Sequence, residues 1–262
     1  METPCSTATN DLPSLADLTS RSDYFGRVSQ VVQRLPCAVD EAEALALLKD
    51  SAECLGAECA AFGSFIPEDP SHESYRFLLA CDPVWCLEYG RRAWYAHDPW
   101  LNYALQHSEP VRASDIRVTT NEEREIVKLA EEFGVKSAVI VPAPASGNVT
   151  RIGVLCLGSS RDCFFEDEGF VALKVAARSL AMELNEWWID RIKRELRAAA
   201  HITAEDIALL RYERLGHGSK RIAAELGTSA SSVDSRFQRI NAKLGVANRK
   251  AAANLAAEYG LI

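Results

Sequence analysis

Six large amphipathic side chains, Trp85, Tyr89, Trp94, Tyr95, Trp100 and Tyr103, fall within nineteen residues, and one carboxylate, Asp98, sits among them. Trp85 and Tyr89 are four residues apart, so a helix there places both on one face. Pro99 biases Asp98 toward extended backbone, which turns its carboxylate to the space beside that face. Indole N–H, phenol O–H and carboxylate set against apolar walls are the groups that hold a small polar head by hydrogen bonds while hydrocarbon buries the rest of a ligand. Ordinary core packing is the other use of such a cluster, and a carboxylate buried within it needs partners in either case. A reaction is harder to build from these residues. His97 adjoins Asp98 in sequence, so the two side chains do not form a catalytic pair in an ordinary turn. There is no GxSxG, no glycine-rich phosphate loop and no HExxH. An enzyme with a small-molecule pocket is therefore the remote reading, and no catalytic residue, metal ligand or cofactor is assigned.

A second group of residues points to a different chemistry. The stretch from Ile202 to Ile262 reads as four short helices. At its centre Ile222, Ala223 and Leu226 share an apolar face, Gly227 stops that helix, and Ser229 caps the next. The capped helix buries Val233, Phe237, Ile240 and Leu244. Its outer side and its start carry Ser231, Ser232, Ser235, Arg236, Arg239 and Lys243. Two helices joined by a tight turn, the second exposing small polar and basic groups, form a helix-turn-helix shape suited to the major groove of DNA. The alternative for these side chains is a solvated helix face. Charge distribution agrees with groove contact. The chain as a whole is −8, but residues 201–262 hold nine Lys/Arg against six acids, a net +3, which leaves −11 for the rest. A mildly basic module on an acidic body fits local phosphate contact.

The elements that must position these groups follow from periodicity and punctuation. Length allows two domains, and the composition, 48% hydrophobic and 25% charged, is that of a globular protein. Helices are predicted over 21–35, over 40–56 between Asp40 and Gly56, over 83–94 and 98–107, and over 120–134 up to Gly134. Short apolar runs at 58–66 and 75–81 read as a hairpin with a long loop. Residues 137–144 and 150–158 read as two strands around Ser146-Gly147-Asn148. A long helix follows from about Glu166 to Arg197. This order predicts an α+β first domain, an antiparallel sheet covered by helices, followed by a small all-α domain. The expected divisions are a flexible leader over 1–20, a small-molecule domain over 21–189, a linker over 190–200 and the helix-turn-helix domain over 201–262. No apolar run is long enough to span a bilayer, and the first residues lack the basic start and apolar core of a signal peptide. The eight cysteines show no CxxC or Cys/His spacing; they are expected as small buried thiols in a reducing cytoplasm.

Trp85, Tyr89, Asp98 and Pro99, followed by Glu109-Pro110-Val111 and Ser114-Asp115, resemble the autoinducer-binding domain of LuxR-type quorum-sensing regulators. Ile202-Thr203, Gly216, Ile222-Ala223, Leu226-Gly227, Val233, Lys243-Leu244-Gly245-Val246 and Asn248-Arg249 resemble the LuxR-type helix-turn-helix. The resemblance spans roughly residues 25–262. It implies an α-β-α sandwich enclosing an acyl-homoserine lactone, with Trp85 donating to the lactone carbonyl, Asp98 accepting the amide N–H and Tyr89 at the amide-side carbonyl. It also implies homodimers, with the long helix as a dimer element, on a palindromic double-stranded operator. Four positions depart from the family pattern in the pocket wall: Cys81 and Ala113 stand where tyrosine and tryptophan are common, Ala138 where glycine is, and Cys156 where serine is. In the second half Glu205-Asp206 replace Arg-Glu, Asp234 stands where a basic residue is usual, and His217-Gly218 replace Lys-Ser/Thr. The pocket departures leave open a regulator without lactone sensing, constitutive or answering another small molecule or a protein partner.

Overall fold

The computed structural model describes residues 12–67, 74–144, 151–199 and 201–262. They fall into two compact units: one holds the residues up to Pro144 together with Ile152–Trp187, the other Arg151 and Trp188–Ile262. In the first, helices α1 (Leu15–Thr19), α2 (Tyr24–Val32) and α3 (Glu41–Leu55) precede strands β1 (Cys59–Phe65) and β2 (Arg76–Ala80). Then come α4 (Pro83–Arg91), α5 (Pro99–Gln106), β3 (Val111–Arg112), α6 (Asn121–Glu132), β4 (Ser137–Ala143), β5 (Ile152–Ser159) and the long α7 (Phe170–Ala199), whose residues from Trp188 on belong to the second unit. The five strands form one sheet in the order β2-β1-β5-β4-β3, antiparallel throughout. The α+β expectation holds. The predicted turn at Ser146-Gly147-Asn148 lies outside the described residues.

The punctuation read from sequence acts as expected at α3. Asp40 accepts from the Glu43 N–H, and Gly56 closes the helix with φ 86°, a left-handed conformation that glycine adopts without a Cβ clash. Two expectations are corrected. The second half of the supposed leader is ordered: Ser14 and Asp17 form a capping box for α1, Leu15 is fully buried, and Arg161 donates to the Pro13 carbonyl at 2.8 Å. The first eleven residues of that leader lie outside the described ones. The supposed linker is helical as far as Ala199, because Ile189, Ile192 and Leu196 recur at helical spacing. The first two are buried, and Leu196 packs on the core of the second unit.

Strand alternation gives the sheet two different faces. Phe62, Ser64 and Leu78 point to one side, where the Ser64 hydroxyl meets the buried Asn185 of α7 at 3.4 Å and Asn185 donates to the Ala143 carbonyl at 3.1 Å. Ala61, Gly63, Leu79, Ile140, Val154 and Cys156 line the other side, which α5 covers through Leu101 and Ala104. Register puts Ala61 against both Leu79 and Cys156, and Gly63 against both Phe77 and Val154. Ala61 and Gly63 thus put two small residues in succession on that face of β1, beneath a layer that α4 and α5 leave partly open.

The second unit contains α8 (Ala204–Arg214), α9 (Ser219–Leu226), α10 (Ala230–Leu244) and α11 (Arg249–Glu258). Leu209, Leu210, Ile222, Val233, Phe237, Ile240, Ala252 and Ala256 form its core. Gly227 (φ 64°) ends α9, and the Ser229 hydroxyl accepts from the Ser232 N–H to start α10. Leu226, expected on the apolar face, is 39% exposed.

Candidate functional site

Above Ala61 and Gly63 lies a cavity of about 220 Å³. Its floor is β1, β2, β4 and β5; its walls are Trp85, Cys86, Tyr89 and Gly90 of α4, Tyr95, Asp98, and Trp100 and Leu101 of α5. Five of the seven residues expected at a ligand site are therefore together: Trp85, Tyr89, Asp98, Trp100 and Cys156. A sixth, Cys81, lines a neighbouring cavity of about 60 Å³ that shares Ala61, Trp85, Trp100 and Cys156 with the larger one. Ala113 lines neither. It follows β3, the edge strand farthest from β2 and the one strand that gives no residue to the floor of the larger cavity. Cys86 and the strand residues of the floor other than Cys156 were not singled out from sequence, and Tyr95 was named there only as a member of the aromatic cluster. Period-two alternation through 59–65 and 152–159 is the signal that marks them, once the buried face is known.

Asp98 is the one carboxylate in the wall of the larger cavity and is 4% exposed. It does two jobs. Oδ1 caps α5, accepting from the Trp100 N–H at 2.7 Å and the Leu101 N–H at 3.4 Å; Oδ2 accepts from the Tyr89 hydroxyl at 2.6 Å. Burial raises the Asp98 carboxyl above its ordinary range, and the bonds from Tyr89, Trp100 and Leu101 work against that shift. Burial, then the adjacent Asp98 charge, pushes the Tyr89 phenol well up, so it stays a neutral donor. A carboxylate offers about four acceptor positions; three are used, and the spare one is on Oδ2 beside Tyr89. The Trp85 ring packs at tilted angles with its centre 5.7 Å from that of Tyr89, 6.1 Å from Trp94 and 5.9 Å from Phe133, which holds the indole between the two cavities. The cysteines differ from the expected buried set. All seven described are free, Cys37 and Cys163 are exposed and the other five half-buried, because several border cavities rather than packed core.

On the second unit, Ser231, Ser232, Ser235, Arg239 and Lys243 are exposed along α10 or at its start, Ser229 is the cap, and Arg236 is half-buried. The basic groups are not equivalent. Arg236 pairs with Glu205. Lys243 donates to Asp206 Oδ2 and to the His201 carbonyl, both at 2.7 Å. Arg239 makes no ion pair among the described residues. The acids that depart from the family pattern are thus satisfied inside the unit: Glu205 by Arg236, Asp206 by Lys243 and the Thr203 N–H, and Asp234 by the Ser219 hydroxyl.

The Asp206 pair has a pH signature. Burial alone would raise this carboxyl; Lys243 and Thr203 outweigh it and hold it below the usual range. A depressed folded-state pKa gives stability that is present above the unfolded value, about 3.9, and is lost as pH falls through the folded value. Lys243→Ala leaves Asp206 short of a donor and is expected to cost about 1–3 kcal/mol at neutral pH. Asp206→Asn flattens the acid limb. Thermal unfolding of the full chain between neutral pH and pH ~3 measures both; equal acid sensitivity in wild type and Asp206→Asn would refute the assignment.

An apolar chamber with one buried carboxylate, preceding a four-helix unit with a capped helix-turn-helix, defines a small-molecule sensor of the one-chain regulator type. A family model described as an autoinducer binding domain matches residues 40–186. The chain belongs to that family, the sensing part of LuxR-type quorum-sensing regulators, which are not enzymes. No curated protein matches it by sequence. Among solved structures it is similar to SdiA of Escherichia coli (TM-score 0.70, 17% identity, 92% of this chain and 99% of that one). It is also similar to SdiA in complex with octanoyl-rac-glycerol (TM-score 0.69, 17% identity, 92% and 98%). A third is CepR2 of Burkholderia cenocepacia, an N-acylhomoserine lactone dependent LuxR family transcription factor (TM-score 0.54, 15% identity, 66% and 99%). At these identities the likeness establishes the fold, an α-β domain followed by a helical one. Among the described residues no helix is long and apolar enough to cross a membrane.

Proposed function

We propose that this chain is a cytoplasmic, ligand-responsive transcription factor that holds an acyl-homoserine lactone within residues 21–189 and binds a palindromic double-stranded operator through residues 201–262 as a homodimer. The observation that carries the ligand reading is the spare acceptor position on Asp98 Oδ2 in an otherwise apolar chamber. An amide N–H fits it. The Tyr89 hydroxyl has a single proton, and it donates that proton's hydrogen bond to Asp98. With the ligand N–H on the spare position of Oδ2, Tyr89 serves the amide carbonyl by turning its hydroxyl from Oδ2 to the carbonyl. The exchange conserves the hydrogen-bond count, with the acyl chain over Ala61 and Gly63. Trp85 supplies an indole donor on the head-group side. Burial of the chain completes the core, so ligand raises folding stability by linkage. The DNA reading is supported by the capped α10 with its exposed Ser232, Ser235 and Arg239. The dimer reading is supported by Val171 and Val175, exposed one turn apart on α7, and by the need of a helix-turn-helix for a second half-site.

A second ligand class is favoured by one observation: SdiA has been solved with octanoyl-rac-glycerol, an acylated molecule without an amide or a lactone. Such a ligand would offer Asp98 a hydroxyl instead of an N–H. Producing the protein beside a lactone synthase, extracting it with organic solvent and weighing the extract separates the two. An acyl-homoserine lactone recovered in about one-to-one ratio with protein is the expected result, with higher soluble yield than without the synthase. An acylglycerol in its place would overturn the lactone assignment. An empty extract and unchanged yield with every chain length would favour a regulator without lactone sensing.

A further inference from the structure

Cys81 and Cys86 bring their sulfur atoms to 3.2 Å. The local backbone makes this contact. Cys81 directly follows β2, Asp82 caps α4 by accepting from the Val84 N–H at 2.7 Å, and the Cys86 N–H returns to the Asp82 carbonyl at 3.2 Å. The first turn of α4 therefore folds one thiol over the other. Their positions relative to the cavities are equally specific: Cys81 lines the smaller, Cys86 the larger, and Trp85, the residue preceding Cys86, lines both. A disulfide has an S–S bond of about 2.05 Å, so closure asks for little more than about 1 Å of side-chain travel. The thiols are also unequal. The hydrogen bond from Cys81 lowers the Cys86 thiol and raises the Cys81 thiol, the latter further raised by burial.

We propose that Cys81 and Cys86 form a reversible dithiol–disulfide site, oxidised by peroxide, that fixes Trp85 between the two cavities. The Cys86 thiolate attacks one oxygen of hydrogen peroxide, giving a sulfenic acid and hydroxide as the O–O bond breaks. Cys81 then attacks the Cys86 sulfur; its proton and the sulfenic hydroxyl leave as water, and the S–S bond forms. Two electrons pass from the pair of thiols to peroxide, and a low-molecular-weight thiol returns them by exchange. The bond ties the end of β2 to α4 across Trp85. Its effect on ligand affinity rests on the function proposed above; the bond itself does not.

Both cysteines lie in one tryptic peptide, Phe77–Arg91, which makes the site measurable in the full-length protein. After hydrogen peroxide, that peptide is expected to lose two hydrogens in mass and to refuse iodoacetamide, and dithiothreitol is expected to restore two alkylations. In Cys86→Ser, Cys81 is expected to stay open to alkylation at the dose that closes the wild-type pair. Two alkylated cysteines in the wild-type peptide, at a dose that already oxidises the exposed Cys37 or Cys163, would overturn the site. Binding of octanoyl-homoserine lactone gives the second readout. Oxidised wild type is expected to bind at least tenfold more weakly than reduced, and peroxide is expected not to change the affinity of Cys86→Ser, which lacks the sulfur that peroxide attacks. A closed disulfide with unaltered affinity would overturn the link to the cavity. Failure of the reduced protein to bind any lactone would count against the lactone reading and leave the disulfide to be judged by mass.

Discussion

Asp98→Asn is expected to lower lactone affinity by roughly ten- to a hundredfold, the equivalent of losing a charge-assisted hydrogen bond worth about 1.5–3 kcal/mol. The amide keeps an oxygen to cap α5, so the Trp100 and Leu101 N–H groups remain satisfied. In place of Oδ2 it presents an N–H₂ group. That group can donate to the Tyr89 oxygen, but it opposes a ligand N–H donor to donor. The fold should therefore survive while recognition fails. Asp98→Ala goes further: it strands the Tyr89 hydroxyl and two backbone N–H groups in a buried wall, and it should lower soluble yield even without ligand. Trp100→Phe keeps the apolar wall and is expected to change affinity much less than Asp98→Asn. Tyr89→Phe should fall between them, since it removes a donor to the ligand and also removes the competitor for Oδ2. Acidity adds a check. Burial has raised the Asp98 carboxyl, so a ligand donor that needs the carboxylate is bound less well as pH falls through that raised value. In Asp98→Asn the pH dependence should vanish. Isothermal titration of the four variants decides the matter; equal affinities for Asp98→Asn and Trp100→Phe would remove Asp98 as the anchor.

What could be read from residues alone was set by how local its cause is. Asp40 and Gly56 bound α3, and Gly227 and Ser229 bound the turn before α10, because capping is decided within four residues. Trp85, Tyr89 and Asp98 were legible as a group for the same reason: one helix face and one X-Pro step. The floor of the cavity was not. Gly63 matters because Phe77 and Val154 lie opposite it, and those contacts span fourteen and ninety-one residues of chain. β3 is two residues long and has no period to detect. Ala113 was carried by the resemblance alone, and the strand order puts it at the far edge of the sheet. The partners of the basic residues were likewise hidden. Nothing in the spacing of Glu205 and Arg236, or of Asp206 and Lys243, announces that α8 meets α10 there; the pairs are a product of the packed core formed by Leu209, Phe237 and Ile240.

Arg239→Ala is expected to abolish operator binding, and to do so with the fold intact. Three basic side chains project from α10 toward its second half, and their surroundings rank them. Lys243 is anchored twice inside its own unit, on Asp206 and on the His201 carbonyl, so its removal should read first as lost stability. Arg236 pairs with Glu205, but that acid is 69% exposed; exposed pairs are worth about 0–1 kcal/mol, so phosphate can replace the carboxylate at small cost. Arg239 is exposed without an ion pair among the described residues and needs no exchange at all. Arg239→Ala should leave the unfolding temperature within about 1–2 °C of wild type, since exposed substitutions stay within about 0.5 kcal/mol. In a gel shift the operator complex should disappear at the protein concentration that just saturates wild type, and at higher protein, where binding can be titrated, the slope of log affinity against log salt should fall by about one if the contact is to phosphate. If the group reads a base edge instead, discrimination among operators should relax with a cost of about 1–3 kcal/mol. Glu205→Gln provides the converse experiment. It releases Arg236 and removes a negative charge from the same surface, so it is expected to tighten binding severalfold, more at low salt than at high. Unchanged gel shifts in both Arg239→Ala and Arg236→Ala would mean that α10 does not face DNA. Weakened binding in Glu205→Gln would mean that the Glu205–Arg236 pair presents the arginine to the groove and does not compete for it.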